Sequence, residues 1–263
     1  MKSKMQLDQI IDFNRFPLDD PNFRGLCRHG LQSRGVLTMP GFVCKEAIEE
    51  MAREGRENQH LVYARTEQHT VYLSPVDDAF AADHPRNRLV TSSKGCITDD
   101  QIPDGSPLRV LYDAPAFRAF ICDVLEQAEV FEYADPQSSI NLHYAQTGQE
   151  LGWHFDNSSF AITLMVQAPE QGGAFEYVRD VRDADTGGMG FTMVGAVLDG
   201  DIPGQQLIAE PGTLVLFRGR NSLHRVVPNQ GERTRMLAVL AYNSEPDIAL
   251  SEAARMTFYG RVS

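Results

Sequence analysis

The chain has 263 residues, 24 Lys+Arg against 36 Asp+Glu for a formal charge of −12, and 42% hydrophobic side chains. That is enough apolar material to bury the core of one large domain, so a wholly disordered chain is excluded. The acidic balance argues against a protein that tracks nucleic-acid phosphates, whose contact face must be basic.

In chain order, the first segment, Met1–Asp8, has two lysines but no apolar stretch behind them, so no targeting signal is expected there. The helix period then appears over Cys44–Glu57, where Ala47, Ile48, Met51 and Ala52 form one stripe and Lys45, Glu46, Glu49 and Glu50 face away. Ser74–Pro107 is rich in Pro, Asp, Gly and Ser and is expected to be a long polar loop. A second helix follows, with Phe117, Phe120, Ile121, Val124 and Leu125 on its apolar stripe, Pro115 in its first turn and Asp113 as the expected N-cap.

Beyond residue 135 the pattern changes to short β-rich runs separated by Gly or Pro: Ser139–Ala145, Phe160–Gln167, Ala174–Val178, Thr213–Phe217 and Thr234–Tyr242. Such punctuation predicts an antiparallel sandwich or barrel with helices packed outside it. The Asp- and Gly-rich Arg179–Gln205 is expected as an insertion loop over one end. One domain is expected over 1–263: a helix-rich supporting region (1–135), a β-core (136–245) and a C-terminal segment (246–263). The longest apolar runs, Ala161–Val166 and Met236–Ala241, fall far below the ~20 residues needed to cross a bilayer. Cys27, Cys44, Cys96 and Cys122 are scattered with no C-x-x-C pair, as expected of reduced thiols. A soluble cytoplasmic protein, without membrane or nucleic-acid partners, is the expectation.

Chemistry concentrates in three places. In Gly152-Trp153-His154-Phe155-Asp156-Asn157, residues two apart on a strand share a face, so His154 and Asp156 offer an imidazole nitrogen and a carboxylate together. Seventy residues on, His224 follows a β-run and a Gly-containing turn. Two histidines and one carboxylate make a facial triad with three open positions, the set of non-haem Fe(II) oxygenases, although zinc also accepts these ligands. Nine residues past His224, Arg233 starts a strand with Arg235 on the same face, and either guanidinium could pair with a carboxylate ligand.

These residues resemble the Fe(II)- and 2-oxoglutarate-dependent oxygenases over roughly Ile140–Asn243, through His154 and Asp156, the distal His224, and Gly231-Glu232-Arg233. Gly35–Phe42, running into a helix, looks like the entry segment of the same superfamily. The resemblance implies a mainly β fold, a double-stranded β-helix (jelly roll) with flanking helices. It implies Fe(II), 2-oxoglutarate and O2 as cofactor and co-substrates. Arg233, with Arg235 as runner-up, would hold the far carboxylate of 2-oxoglutarate, and Tyr144 would donate a hydrogen bond to it.

A narrower likeness joins Gly152–Phe160, the Phe217–Val226 run and the tail from Ala241 to Gly260 to the carrier-free amino-acid radical halogenases, such as the lysine halogenases, and their hydroxylase relatives. In the halogenases a glycine replaces the aspartate and opens a site for chloride; here Asp156 is present, which favours hydroxylation. The implied substrate is a small polar molecule, a free amino acid such as lysine, attacked at an unactivated carbon. Desaturation, cyclisation and action on a protein side chain are the alternatives, and a jelly roll that binds without turnover is a further one. Substrate contacts are expected from His143, Trp153 and Asn157. The two long polar segments are expected as a lid over the metal, with Arg88 its carboxylate anchor and Arg86 a second loop arginine.

Overall fold

The protein is described by a computed structural model covering residues 4–262; Met1–Ser3 of the N-terminal segment lie outside the described residues. The helix over Pro115–Leu125 shows how periodicity becomes packing: Phe117, Phe120, Ile121, Val124 and Leu125 are all buried. Pro115 opens it as expected, but Asp113 is not its cap. Asp113 is the last residue of a preceding helix, Pro107–Asp113, capped by the Ser106 side chain, and Ala114 is the one-residue joint between the two.

In chain order the helices are α1 (Leu7–Ile10), α2 (Pro21–Arg34), α3 (Lys45–Asn58), α4 (Pro107–Asp113), α5 (Pro115–Leu125), α6 (Phe191–Asp199) and α7 (Glu252–Tyr259). The strands are β1 (Val36–Met39), β2 (Tyr63–Thr70), β3 (Leu89–Ile97), β4 (Ile140–Ala145), β5 (Leu151–His154), β6 (Ala161–Gln167), β7 (Gln171–Gly172), β8 (Phe175–Val178), β9 (Gln205–Leu207), β10 (Leu214–Phe217), β11 (Leu223–Val226), β12 (Asn229–Gln230) and β13 (Arg235–Leu240). They form a seven-stranded sheet in the order β1-β10-β6-β13-β4-β3-β2, a four-stranded sheet β5-β11-β8-β9 and a short β12-β7 pair. Every pairing is antiparallel, and the two larger sheets face each other as a jelly roll.

Strand alternation sorts the large sheet into two environments. Leu142, Tyr144, Met236, Ala238, Leu164 and Leu216 point outward into the main core, which Phe42, Met51, Leu111 and the α5 stripe complete. The residues between them, including His143, Arg235, Leu237 and Met165, point inward and line a chamber between the sheets. The helical layer thus braces one sheet and leaves the space between the sheets for chemistry.

Both segments expected to be irregular hold regular elements. Ser74–Pro107 contains β3, which pairs with β2 on one side and β4 on the other. Its polar composition hid it, because Ser92 and Lys94 are used inside the fold instead of facing water. Arg179–Gln205 contains α6, which buries Val194 and Val197 between flanks rich in Asp and Gly. No described helix is long and apolar enough to cross a membrane, and all four cysteines are free thiols.

Candidate metal centre

The β5 strand ends at His154, and Asp156 follows in the turn directly after it. The β11 strand brings His224 into register opposite His154. Among the described residues this is the group of three whose ligand atoms come together, all within 4.8 Å of one another. His154 Nε2 lies 3.7 Å and His224 Nε2 3.3 Å from Asp156 Oδ1. Ligands about 2.1 Å from an ion and at right angles to one another lie roughly 3 Å apart, so the distance from each histidine nitrogen to Asp156 is close to that of two neighbouring ligands of one ion.

Each histidine is oriented from behind. Nδ1 of His154 faces the Gly152 carbonyl at 2.8 Å and Nδ1 of His224 faces the Ser222 carbonyl at 2.9 Å. A carbonyl accepts, so the proton belongs on Nδ1 and the Nε2 lone pair is left for a metal. Burial, and then the neighbouring His224, push His154 down to about 3, which keeps its ring neutral. Burial works to raise the Asp156 carboxyl, but the imidazoles, His224 foremost, hold it at about 2, so it is ionised. The Oδ2 atom of Asp156 is buried without a hydrogen-bond partner. A buried, unsatisfied carboxylate oxygen beside two free imidazole nitrogens fits a divalent cation.

Gly219 makes room for that carboxylate. A Cβ there would lie 1.8 Å from Asp156 Oδ2, while Asp156 N donates to the Gly219 carbonyl at 3.2 Å. Phe175 and Phe217 pack against His224 with ring centroids at 5.5 and 5.0 Å. None of these three was marked by sequence reasoning; Gly219 sits in Arg-Gly-Arg and resembled an ordinary turn glycine.

The triad opens on a chamber of about 570 Å³. Arg235, 6% exposed, enters it from β13, and no ion pair of its guanidinium is found among the described residues. Its Nε is unsatisfied, and burial lowers it to about 10. Arg233, expected to be the anchor, is exposed at the chamber's rim before the strand begins. His143 lines the chamber and is held at about 3 by burial, with Lys94 and Arg235 adding to the effect.

Tyr144 corrects an expectation. Adjacent strand residues point opposite ways, and since His143 faces in, Tyr144 faces out: it is buried in the helical core and donates a hydrogen bond to the Gly55 carbonyl at 2.7 Å. Trp153 likewise alternates with His154 and lies outside the chamber, with the Arg225 guanidinium 4.7 Å from its ring. Asn157 is exposed and does not line the chamber; its carbonyl accepts from Arg220.

The lid expectation is also corrected. Tyr72, Val181, Val194 and Val197 pack with Trp153, Phe155 and Leu223, behind the strands that carry the ligands. Of the two long segments only Lys94, on β3, lines the chamber. Arg88 binds Asp199 at 2.6 Å and the Leu198 carbonyl at 3.2 Å, so it ties one segment to the other. Arg86 sits over the Tyr72 ring at 5.7 Å.

The antiparallel jelly roll with a His-Asp-His group between its sheets is a fold this chain shares with solved 2OG-Fe(II) oxygenases. Residues 22–258 match the family described as Halogenase D, and the chain belongs to that family. Solved structures agree in fold. An oxidoreductase of the 2OG-Fe(II) oxygenase family from Burkholderia pseudomallei is 15% identical, covers 86% of this chain and 92% of its own, with a TM-score of 0.52. The epimerase SnoN from nogalamycin biosynthesis is 14% identical over 85% of this chain and 84% of its own, at 0.56. A prolyl hydroxylase from Trichoplax adhaerens is 10% identical over 85% and 90%, at 0.54. No curated protein matches the chain.

Proposed function

We propose that the protein is a 2-oxoglutarate-dependent iron dioxygenase that hydroxylates an unactivated carbon of a small polar substrate, a free amino acid such as lysine being the favoured class. The observation that carries the reading is the approach of Asp156 Oδ1 to both Nε2 atoms, at 3.3 and 3.7 Å. His154, Asp156 and His224 would hold Fe(II), leaving three positions on one face. The solved SnoN complex contains Fe3+ and alpha-ketoglutarate, and the same ligands suit this chamber.

Iron and 2-oxoglutarate, when bound, would supply the activation of dioxygen, 2-oxoglutarate being oxidised to succinate and CO2 as the substrate gains one oxygen atom. The chain's own groups do the rest. Arg235, rather than Arg233, is proposed to pair with the far carboxylate of 2-oxoglutarate, because it is buried, points inward and lacks an anion. Phe175, Phe217 and Leu237 keep the space around the metal apolar. Asp156 fills the ligand position that a halide would need, so hydroxylation is proposed in spite of the family's name.

The test is aerobic incubation with Fe(II), 2-oxoglutarate and each free amino acid in turn, read by mass. The reading expects one amino acid to gain a single oxygen, with succinate formed in equal amount. A chlorinated product in the presence of chloride would contradict it, and loss of two hydrogens would identify desaturation or ring closure.

A further inference from the structure

Besides the triad and Arg235, the chamber contains a cation that the proposed reaction leaves unassigned. Lys94, on β3, lines the chamber half-buried, and no hydrogen bond or ion pair of its ammonium is found among the described residues. The register explains its position. Arg235 pairs with Ala145 across β13 and β4, and Gly95 pairs with Tyr144 across β3 and β4, so Lys94 is next in line beside Ala145. Lys94 and Arg235 thus flank the small Ala145 side chain in one row, their Cα atoms about 10 Å apart across two strand spacings.

The two cations differ in their neighbours. At Lys94, β3 also meets the strand that carries the first ligand: Ser93 N donates to the Glu150 carbonyl at 2.8 Å, and Gly152 N donates to Ser92 Oγ at 3.0 Å. Lys94 therefore projects at the seam between His143 and His154. Its charge acts on His143, His154 and Asp156, whereas that of Arg235 bears on His143.

The charge of the loaded chamber points the same way. A divalent ion with Lys94 and Arg235 sets four positive charges against the one carboxylate of Asp156. Bound 2-oxoglutarate, a dianion, leaves one positive charge over, and the remaining charges at the opening, Arg233, Glu170 and Glu210, are exposed and screened by water. An uncompensated ammonium in a desolvated space is costly, and an anionic ligand removes that cost.

We propose that Lys94 binds a carboxylate beside the metal triad, at a subsite separate from that of Arg235. The inference rests on the oxygenase reading above. The carboxylate belongs either to the metal-binding end of 2-oxoglutarate or to the amino-acid substrate, and the two sources separate experimentally. The protein is loaded with Mn(II) in place of iron, so that binding is read without turnover. Wild type, Lys94→Met and Lys94→Arg are titrated calorimetrically with 2-oxoglutarate. The same proteins, saturated with Mn(II) and 2-oxoglutarate, are then screened by thermal shift against the free amino acids and their carboxamides. Melting temperature and manganese content of each variant report on folding and on the triad.

Lys94→Met is expected to lose about tenfold or more in affinity for one carboxylate, the worth of a charge-assisted hydrogen bond, and Lys94→Arg to stay within about threefold. A loss in the first titration assigns Lys94 to 2-oxoglutarate. A loss in the second, for an amino acid whose carboxamide fails to bind wild type, assigns it to the substrate. If Lys94→Met binds 2-oxoglutarate within about twofold of wild type and no amino acid distinguishes the two proteins, the inference is overturned and the oxygenase reading stands. If wild type itself fails to bind 2-oxoglutarate, that reading falls and this inference with it.

Discussion

His224 lies directly opposite His154 in the antiparallel ladder of β5 and β11, and the two rings stand 4.1 Å apart between centroids. The small sheet thereby converts a long separation in sequence into a pair of adjacent ligands. The third ligand then has only to turn back from the end of β5, which Asp156 does against the Cα of Gly219.

That last contact gives the first prediction. Gly219 does not have a positive φ, so its backbone tolerates alanine, but the new Cβ would lie 1.8 Å from Asp156 Oδ2 and the carboxylate must move. Gly219→Ala should weaken metal binding by roughly ten- to a hundredfold, as losses of supporting contacts around metal sites do, while melting within a few degrees of wild type. Metal titration beside a thermal melt checks this; unchanged affinity would mean that the carboxylate is not held against Gly219.

Arg235 and Arg233 should behave very differently. Removing the partner of a buried carboxylate costs about 3–5 kcal/mol, so Arg235→Met should weaken 2-oxoglutarate binding on the order of a hundredfold or more. Arg233→Ala, at an exposed position, should change it by less than about threefold. Calorimetry on the Mn(II)-loaded proteins compares the two, and the reverse ranking would return the anchor to Arg233.

Tyr144 provides a contrast between structure and binding. Tyr144→Phe removes the hydrogen bond to the Gly55 carbonyl and should cost about 1 kcal/mol of stability or somewhat more, since the carbonyl loses its partner. It should leave the 2-oxoglutarate constant unchanged. A raised constant with unchanged stability would place the hydroxyl in the chamber after all.

The buried histidines predict a pH effect on the metal-free protein. Burial holds both His143 and His154 at about 3, below their ordinary 6.5. Above 6.5 both are neutral whether the chain is folded or unfolded, and they add nothing. As pH falls from about 6.5 toward 3 the unfolded chain takes up protons that the folded chain refuses, so stability falls by up to about 1.4 kcal/mol per pH unit for each ring. Denaturant midpoints across this range check the slope, and His143→Gln should flatten it. A flat profile in the unsubstituted protein would show that these rings are not buried neutral.

The sequence reading reached furthest where short-range pattern and chemistry coincide. The α5 stripe, the β-rich runs that become β4 and β13, and the close spacing of His154 and Asp156 are local signals, and each appears in the fold, although Asp156 follows the end of β5 instead of lying on it; His224 joins the pair only through the β5–β11 ladder. It was less successful where a face had to be chosen. Alternation shows that His143 and Tyr144 diverge, but only the helical layer behind β4 decides which of them faces the chamber. It also failed at β3, because inward-facing Ser92 and Lys94 make a strand resemble a loop. Arg88 misled for a related reason: its partner Asp199 sits on α6, which the composition of its flanks concealed.

The central claim is that His154, Asp156 and His224 hold the iron on which 2-oxoglutarate turnover depends. Its most direct test is succinate formation by wild type and His224→Ala, assayed side by side with Fe(II) and 2-oxoglutarate, together with the iron bound per chain. The account predicts one iron per chain and iron-dependent succinate in wild type, and loss of both in His224→Ala with the fold retained. A His224→Ala protein that keeps its iron and forms succinate at the wild-type rate would contradict it.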